Sequence, residues 1–140
     1  MIDAHEVAKN LWVGAYPTNP KACERFDVIV LGAEELQTLP YPCKNILRVP
    51  LDDSKPTAEE MARALRGGTV VADLLRKNKK VLVTCAQGVN RSSFIAALAL
   101  IRSGVAPWRA ISMIRDKRKP KIGLTPLSNP HFTKILMSMH

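Results

Sequence analysis

Cysteine is scarce, with Cys23, Cys43 and Cys85 the only three in 140 residues. They are too few and too irregularly spaced for a disulfide framework, and no CxxC or HxxxH pair offers the spacing of a zinc site. Cys23 and Cys43 read as small buried hydrophobes. Long apolar runs are missing as well. The longest nearly apolar stretch, Phe94 to Ile101, falls far short of the roughly 18 residues a bilayer-spanning helix needs, and the opening MIDAHEVAKN lacks a signal peptide's apolar segment. These absences predict a soluble protein of the cytoplasm, with the nucleus as the other compartment open to it. Acidic residues run out along the chain: residues 1–84 hold 11 Asp or Glu against 12 Lys or Arg, whereas residues 85–140 hold 1 against 9. A basic half attracts polyanions in general, whether phosphoprotein, phospholipid headgroup or nucleic acid, and does not choose among them.

Hydrophobic residues make up 46% and charged residues 24%, which is ordinary globular usage and argues against disorder or low complexity. A chain of this length suits one domain spanning residues 1–140. Short β-branched runs alternate with longer helical patterns, and no internal repeat is visible. The expected class is α/β, a central and mostly parallel sheet flanked by helices. Asn10–Val13, Asp27–Leu31 and Asn45–Val49 read as strands, with a helix over about 19–25 between the first two and Pro50 breaking the third. Thr57 and Glu60 have capping-box spacing and predict a helix from Ala58, which Gly67 and Gly68 should kink or split. Lys80–Thr84 is continuously apolar after its first residue, as a central parallel strand covered on both faces should be. A strongly apolar helix follows Arg91, another runs over about 107–118, and a last one starts near Asn129 and Pro130.

Chemistry concentrates in Cys85-Ala86-Gln87-Gly88-Val89-Asn90-Arg91-Ser92, the loop joining that strand to the apolar helix. Backbone N–H groups curl around a point in front of a helix N-terminus, where the dipole and the unpaired donors favour an anion such as phosphate. Gly88 can take angles that a side chain forbids, and Arg91 offers a planar fork matched to two phosphate oxygens. The same field favours the thiolate of Cys85. A thiolate beneath a bound phosphoryl group can attack phosphorus in line, giving a phosphocysteine that water hydrolyses. That scheme needs no metal and no cofactor, but it does need a proton donor for the departing oxygen. Asp52 and Asp53, at the end of another strand, are the candidates.

The CxxGxxRS loop with an acidic loop 32 residues upstream resembles the cysteine-based protein tyrosine phosphatases, in particular their small, atypical dual-specificity branch. The likeness covers nearly the whole chain: NLWVG is similar to the opening strand, VPLDD to the general-acid loop, KVLVTCAQGVNRS to the signature, WRAISMIRDKR to the next helix and LSNPHFTKIL to the closing motif. By that resemblance Cys85 is the nucleophile, Arg91 the phosphate clamp, Asp53 rather than Asp52 the general acid, and Ser92 the hydroxyl that eases thiolate departure. The loop from Ala86 to Arg91 would bind the phosphoryl group, and Asn129 would brace the loop from behind. The family usually has His immediately before the nucleophile, and Thr84 stands there instead. A hydroxyl replaces only part of that role, so the expectation is an active but slower enzyme with a less readily ionised thiol.

The implied substrates are proteins phosphorylated on Tyr and also on Ser or Thr. Two other activities use the same loop: an RNA 5′-triphosphatase, which the run Gly88-Val89-Asn90-Arg91 and the basic half also suit, and a phosphoinositide phosphatase. A catalytically weak phosphate-binding module is the reading outside enzymology. The cluster Arg115, Lys117, Arg118, Lys119 and Lys121 reads as a solvated helix end. His5, His131 and His140 show no spacing to a carboxylate that would give them a catalytic part. Cys43 lies two residues before the third strand, which leaves a protective disulfide with Cys85 on oxidation open.

Overall fold

The computed structural model describes residues 3–139, so His140 lies outside the described residues. A five-stranded sheet carries the chain, ordered β1-β2-β5-β3-β4. Its strands are β1 (Ala4–Ala8), β2 (Leu11–Ala15), β3 (Val28–Ala33), β4 (Ile46–Leu51) and β5 (Val81–Cys85). β1 pairs antiparallel with β2, and the other neighbours are parallel. Every residue of β5 is buried, which explains its unbroken apolar run: β2 and β3 flank it, and other elements cover both faces. The parallel strands all end on one side, where Ala15 pairs with Cys85 and Ala33 with Leu51. Ligand sites of open α/β sheets form at such an edge.

Helices α1 (Pro20–Arg25), α2 (Ala58–Arg76), α3 (Arg91–Arg102), α4 (Pro107–Ile122) and α5 (Pro130–Met137) complete the fold. α3 is buried along nearly its whole length, wedged between the sheet and α2, α4 and α5. Phe94 of α3 stacks on Phe132 of α5 with ring centroids 4.3 Å apart. The Thr57–Glu60 capping box forms as the spacing predicts, with each backbone N–H bonded to the other residue's side chain at 3.1 Å. Glu60 Oε2 also accepts the N–H of Asp52 at 2.7 Å, so the helix cap holds the acidic loop. Burial opposes the Glu60 charge, but the backbone bonds from Asp52 and Thr57 prevail and hold its carboxyl below the usual range.

The structure departs from the sequence expectations at four places in the scaffold. α2 runs unbroken through Gly67 and Gly68, because these residues serve packing rather than bending. A Cβ on Gly67 would lie 2.7 Å from Val49 Cγ2, and one on Gly68 would lie 2.9 Å from Leu98 Cβ. Pro50 does not end its strand, since β4 lies at the sheet edge, where a missing N–H is tolerated. β1 was not legible at all. Its AHEVA pattern buries Ala4 and Val7 with polar residues between, and its strand character comes from a hairpin onto β2 through left-handed Asn10. Finally, Cys23 and Cys43 are not separate hydrophobes but a disulfide with Cα atoms 5.0 Å apart. The β3–β4 connection returns Cys43 to the side of α1, a proximity that a separation of 20 residues does not reveal. Cys43 is therefore not available to Cys85, the free thiol among the described residues. No helix among these residues is long and apolar enough to cross a membrane.

Candidate active site

β5 delivers Cys85 to the ligand edge of the sheet, and α3 begins six residues later at Arg91. The intervening loop turns at Gly88, whose φ of +68° is left-handed. A side chain there would also collide with Arg118 Nη2 and the backbone of Gly14. The loop closes one end of a cleft of ≈ 680 Å³ lined by Asp53, Cys85, Gln87, Asn90, Arg91 and Leu124, among others. Ala86 and Val89 line it too, whereas Gly88 is buried behind it. Cys85 is 3% exposed, and its Sγ lies 3.2 Å from the Oγ of fully buried Ser92. That hydroxyl is placed to donate to a thiolate.

The guanidinium of Arg91 is gripped on one side. It donates to Leu51 O at 3.1 Å and to both carboxylate oxygens of Glu35, Nη2 reaching Oε2 at 2.8 Å. Glu35 was missed in the sequence, where it is one acid of a Glu34-Glu35 pair with no motif around it. The 3₁₀ turn Glu34–Leu36 after β3 brings it across 56 residues to Arg91. The Arg91 hydrogen bond holds the Glu35 carboxyl below its usual range, against the opposing effect of burial. Burial also works against the Arg91 charge, yet the Glu35 hydrogen bond and the charges of Cys85, Glu35 and Asp53 raise its pKa above the ordinary value.

The two candidate acids separate clearly. Asp52 turns its carboxylate to the Ser54 hydroxyl at 2.6 Å, while Asp53 lines the cleft. Asp53 accepts the side-chain amide of Asn129 at 2.8 Å and that of Asn90 at 3.1 Å. Asn129 meets the loop at a side chain rather than at its backbone. It reaches the loop through its own N–H to Asn90 Oδ1 at 3.0 Å, donates to Asp53 and Ser54 O, and caps α5 with Oδ1. It thereby couples the acidic loop to the Cys85–Arg91 loop. Thr84 is fully buried and donates to Val30 O at 2.7 Å, so its hydroxyl serves the β3–β5 seam rather than the loop. The basic cluster also divides. Lys117, Lys119 and Lys121 are exposed, but Arg115 bonds the carbonyls of Pro126 and Leu127 at 3.0 Å each, and Arg118 is fully buried. A sequence pattern of alternating basic residues on a helix gave no sign of which one turns inward.

A thiol at the floor, a guanidinium at the side and a carboxyl on the facing loop form a pocket suited to in-line transfer of a phosphoryl group. Neither a protein-family model nor a curated protein sequence matches the chain. Solved structures do. Human DUSP28 superimposes with a TM-score of 0.77 at 22% identity, covering 95% of this chain and 89% of that one. Tk-PTP in its active form gives 0.74 at 22% identity over 96% and 93%, and the PTP-2 phosphatase of Cydia pomonella gives 0.69 at 21% over 98% and 89%. The chain has the fold of the small, atypical dual-specificity phosphatases of the protein tyrosine phosphatase superfamily.

Proposed function

We propose that this protein is a cysteine-dependent phosphatase that hydrolyses phosphotyrosine, and phosphoserine or phosphothreonine, in protein substrates. The observation that carries the reading is the convergence, in one cleft, of Cys85 and Arg91 from one loop and Asp53 from a distant second one. In the first step the Cys85 thiolate forms an S–P bond as the ester P–O bond breaks, and Asp53 gives its proton to the departing oxygen. In the second, Asp53 takes a proton from water as the water oxygen bonds phosphorus and the S–P bond breaks. Ser92, 3.2 Å from the sulfur, donates to the thiolate that leaves. Arg91 and the loop's N–H groups hold the phosphoryl oxygens throughout. Each Asp53 oxygen accepts one amide N–H bond, from Asn90 and Asn129, which orients the carboxyl and leaves a lone pair on each oxygen for the transferred proton.

The exposed Lys117, Lys119 and Lys121 give a polyanionic substrate its best support, and the test is built to detect one. Purified protein is assayed with chelator present on phosphotyrosyl peptide, phosphothreonyl peptide, phosphoinositide and 5′-triphosphorylated RNA. Fastest release from phosphotyrosyl peptide, abolished by Cys85→Ser, is the expected result. Fastest release from RNA or lipid would move the substrate class, and turnover surviving Cys85→Ser would overturn the mechanism.

A further inference from the structure

We infer that Arg118 is a positioning residue that aims the phosphate loop's N–H groups, and that His5 sets the pH range over which it does so. This rests on the phosphatase reading of the loop. Arg118 comes from α4 and is 0% exposed, among the largest fully buried side chains of the described residues. A buried guanidinium is costly unless its donors are matched. Here Nε donates to Gly88 O at 2.6 Å, Nη2 to Gln87 O at 2.9 Å, and Nη1 to Asp3 Oδ1 at 3.1 Å, with His5 Nδ1 at 2.8 Å from Nη1.

The choice of carbonyls gives the arrangement its consequence. In a planar trans peptide the C=O of one residue and the N–H of the next point in opposite directions. Holding Gln87 O and Gly88 O against Arg118, behind the loop, turns the N–H groups of Gly88 and Val89 the other way, into the concavity where phosphate sits. The contact is tight: a Cβ on Gly88 would run into Arg118 Nη2. Lysine keeps the charge but has no fork with which to hold two successive carbonyls.

Arg118 has only donors, so His5 Nδ1 must be the acceptor between them, which places the imidazole proton on Nε2. A proton on Nδ1 would set N–H against N–H and one cation against another. The charged groups around His5 are Arg118 and Lys121 of α4 and Asp3 beside β1. Burial, then Arg118, with a smaller push from Lys121, lower the His5 pKa, and Asp3 opposes them. The sign follows: the neutral imidazole that supports Arg118 prevails above the ordinary histidine range and is lost as pH falls through the lowered value.

The decisive measurements are kcat/KM for a phosphotyrosyl peptide from pH 5 to 8 in wild type, Arg118→Lys and His5→Asn, and inorganic phosphate binding to Cys85→Ser with and without Arg118→Lys. Asn keeps an acceptor near the Nδ1 position and does not titrate. Arg118→Lys is expected to lower kcat/KM about 100-fold and phosphate affinity about 10-fold. The fall in kcat/KM from pH 7 to pH 5 should shrink at least ~3-fold in His5→Asn relative to wild type. A folded Arg118→Lys within about twofold of wild type in both readouts overturns the positioning role, and superimposable pH profiles overturn the part given to His5. Should Arg118→Lys not fold, the His5→Asn profile decides the inference as a whole. Wild type that binds phosphate but turns over no substrate defeats the phosphatase reading alone, and phosphate affinity then judges Arg118.

Discussion

The two faces of the sheet are built differently. On one, α2, α3, α4 and α5 bury a large continuous cluster running from Val7 and Leu11 through Phe94 and Ile95 to Phe132 and Leu136. On the other, a small buried cluster of Ala4, Phe26, Ile29, Leu31 and Leu82 has Trp12, Tyr41 and the two disulfide cysteines packed around it. The thick face works by area, since each fully buried large apolar side chain stabilises by about 1.5–3 kcal/mol. The thin face uses specific bonds. Cys23–Cys43 ties the β3–β4 connection to α1, Tyr41 donates to Leu36 O at 2.7 Å, and Gln37 donates to the carbonyls of Leu31 and Ala33 at 2.9 Å. That connection carries Glu35, so Arg91 is held from the thick face by its helix and from the thin face by its carboxylate partner. Helix packing fixes where the guanidinium starts, and the strapped turn fixes where it points.

The contrast can be broken where the faces meet. Cys85→Ser should lower turnover of phosphotyrosyl peptide by at least ~10⁴-fold while leaving the thermal midpoint within a few degrees, because it swaps one atom outside both clusters. Phe94→Ala attacks the thick face and should cost about 3–5 kcal/mol in chemical denaturation, since the stacked Phe132 ring cannot fill the space. Asp53→Asn should slow turnover roughly 100-fold and Asp52→Asn hardly at all, as only the former lines the cleft. On the thin face, replacing both Cys23 and Cys43 with Ser should lower stability by about 2–4 kcal/mol, measured under conditions that keep Cys85 reduced. The smallest effect sharpens the comparison most. Glu35→Gln should raise KM by a few-fold with less change in kcat, because it loosens Arg91 without touching the reacting atoms. Its pH signature has a definite sign. Since Arg91 lowers the Glu35 pKa, the pair's support is complete above the ordinary carboxylate range and fades as pH falls through the lowered value, a fade absent from Glu35→Gln.

The thick face was largely readable in the sequence. The run from Val81, the apolar helix after Arg91, the Thr57–Glu60 cap and the Asn129–Pro130 start are each written in neighbouring residues, and each element stands within a residue or two of its expected place. So was the loop that joins strand to helix, because its Gly and Arg stand at short, fixed offsets from the thiol. The thin face and its consequences were not. The disulfide, Glu35 on Arg91 and buried Arg118 depend on groups separated by 20 to more than 100 positions, and strand β1 on its hairpin partner up to 10 positions away. No local period or spacing encodes which of several similar residues turns inward. Gly67 and Gly68 misled for a related reason: intrinsic propensity marks glycine as a helix breaker, whereas the close approach of Val49 and Leu98 makes it the residue that fits.

By itself, then, the order of residues determined the alternation of strands and helices and the presence of a thiol, a glycine and an arginine at the mouth of a buried helix, because these are short-range matters of hydrophobic period, capping and backbone freedom. Only the tertiary structure decided which carboxylate holds the arginine and which buried cation backs the loop. Those are long-range electrostatic and hydrogen-bond pairings, and they come into being only when the sheet draws distant segments to one edge.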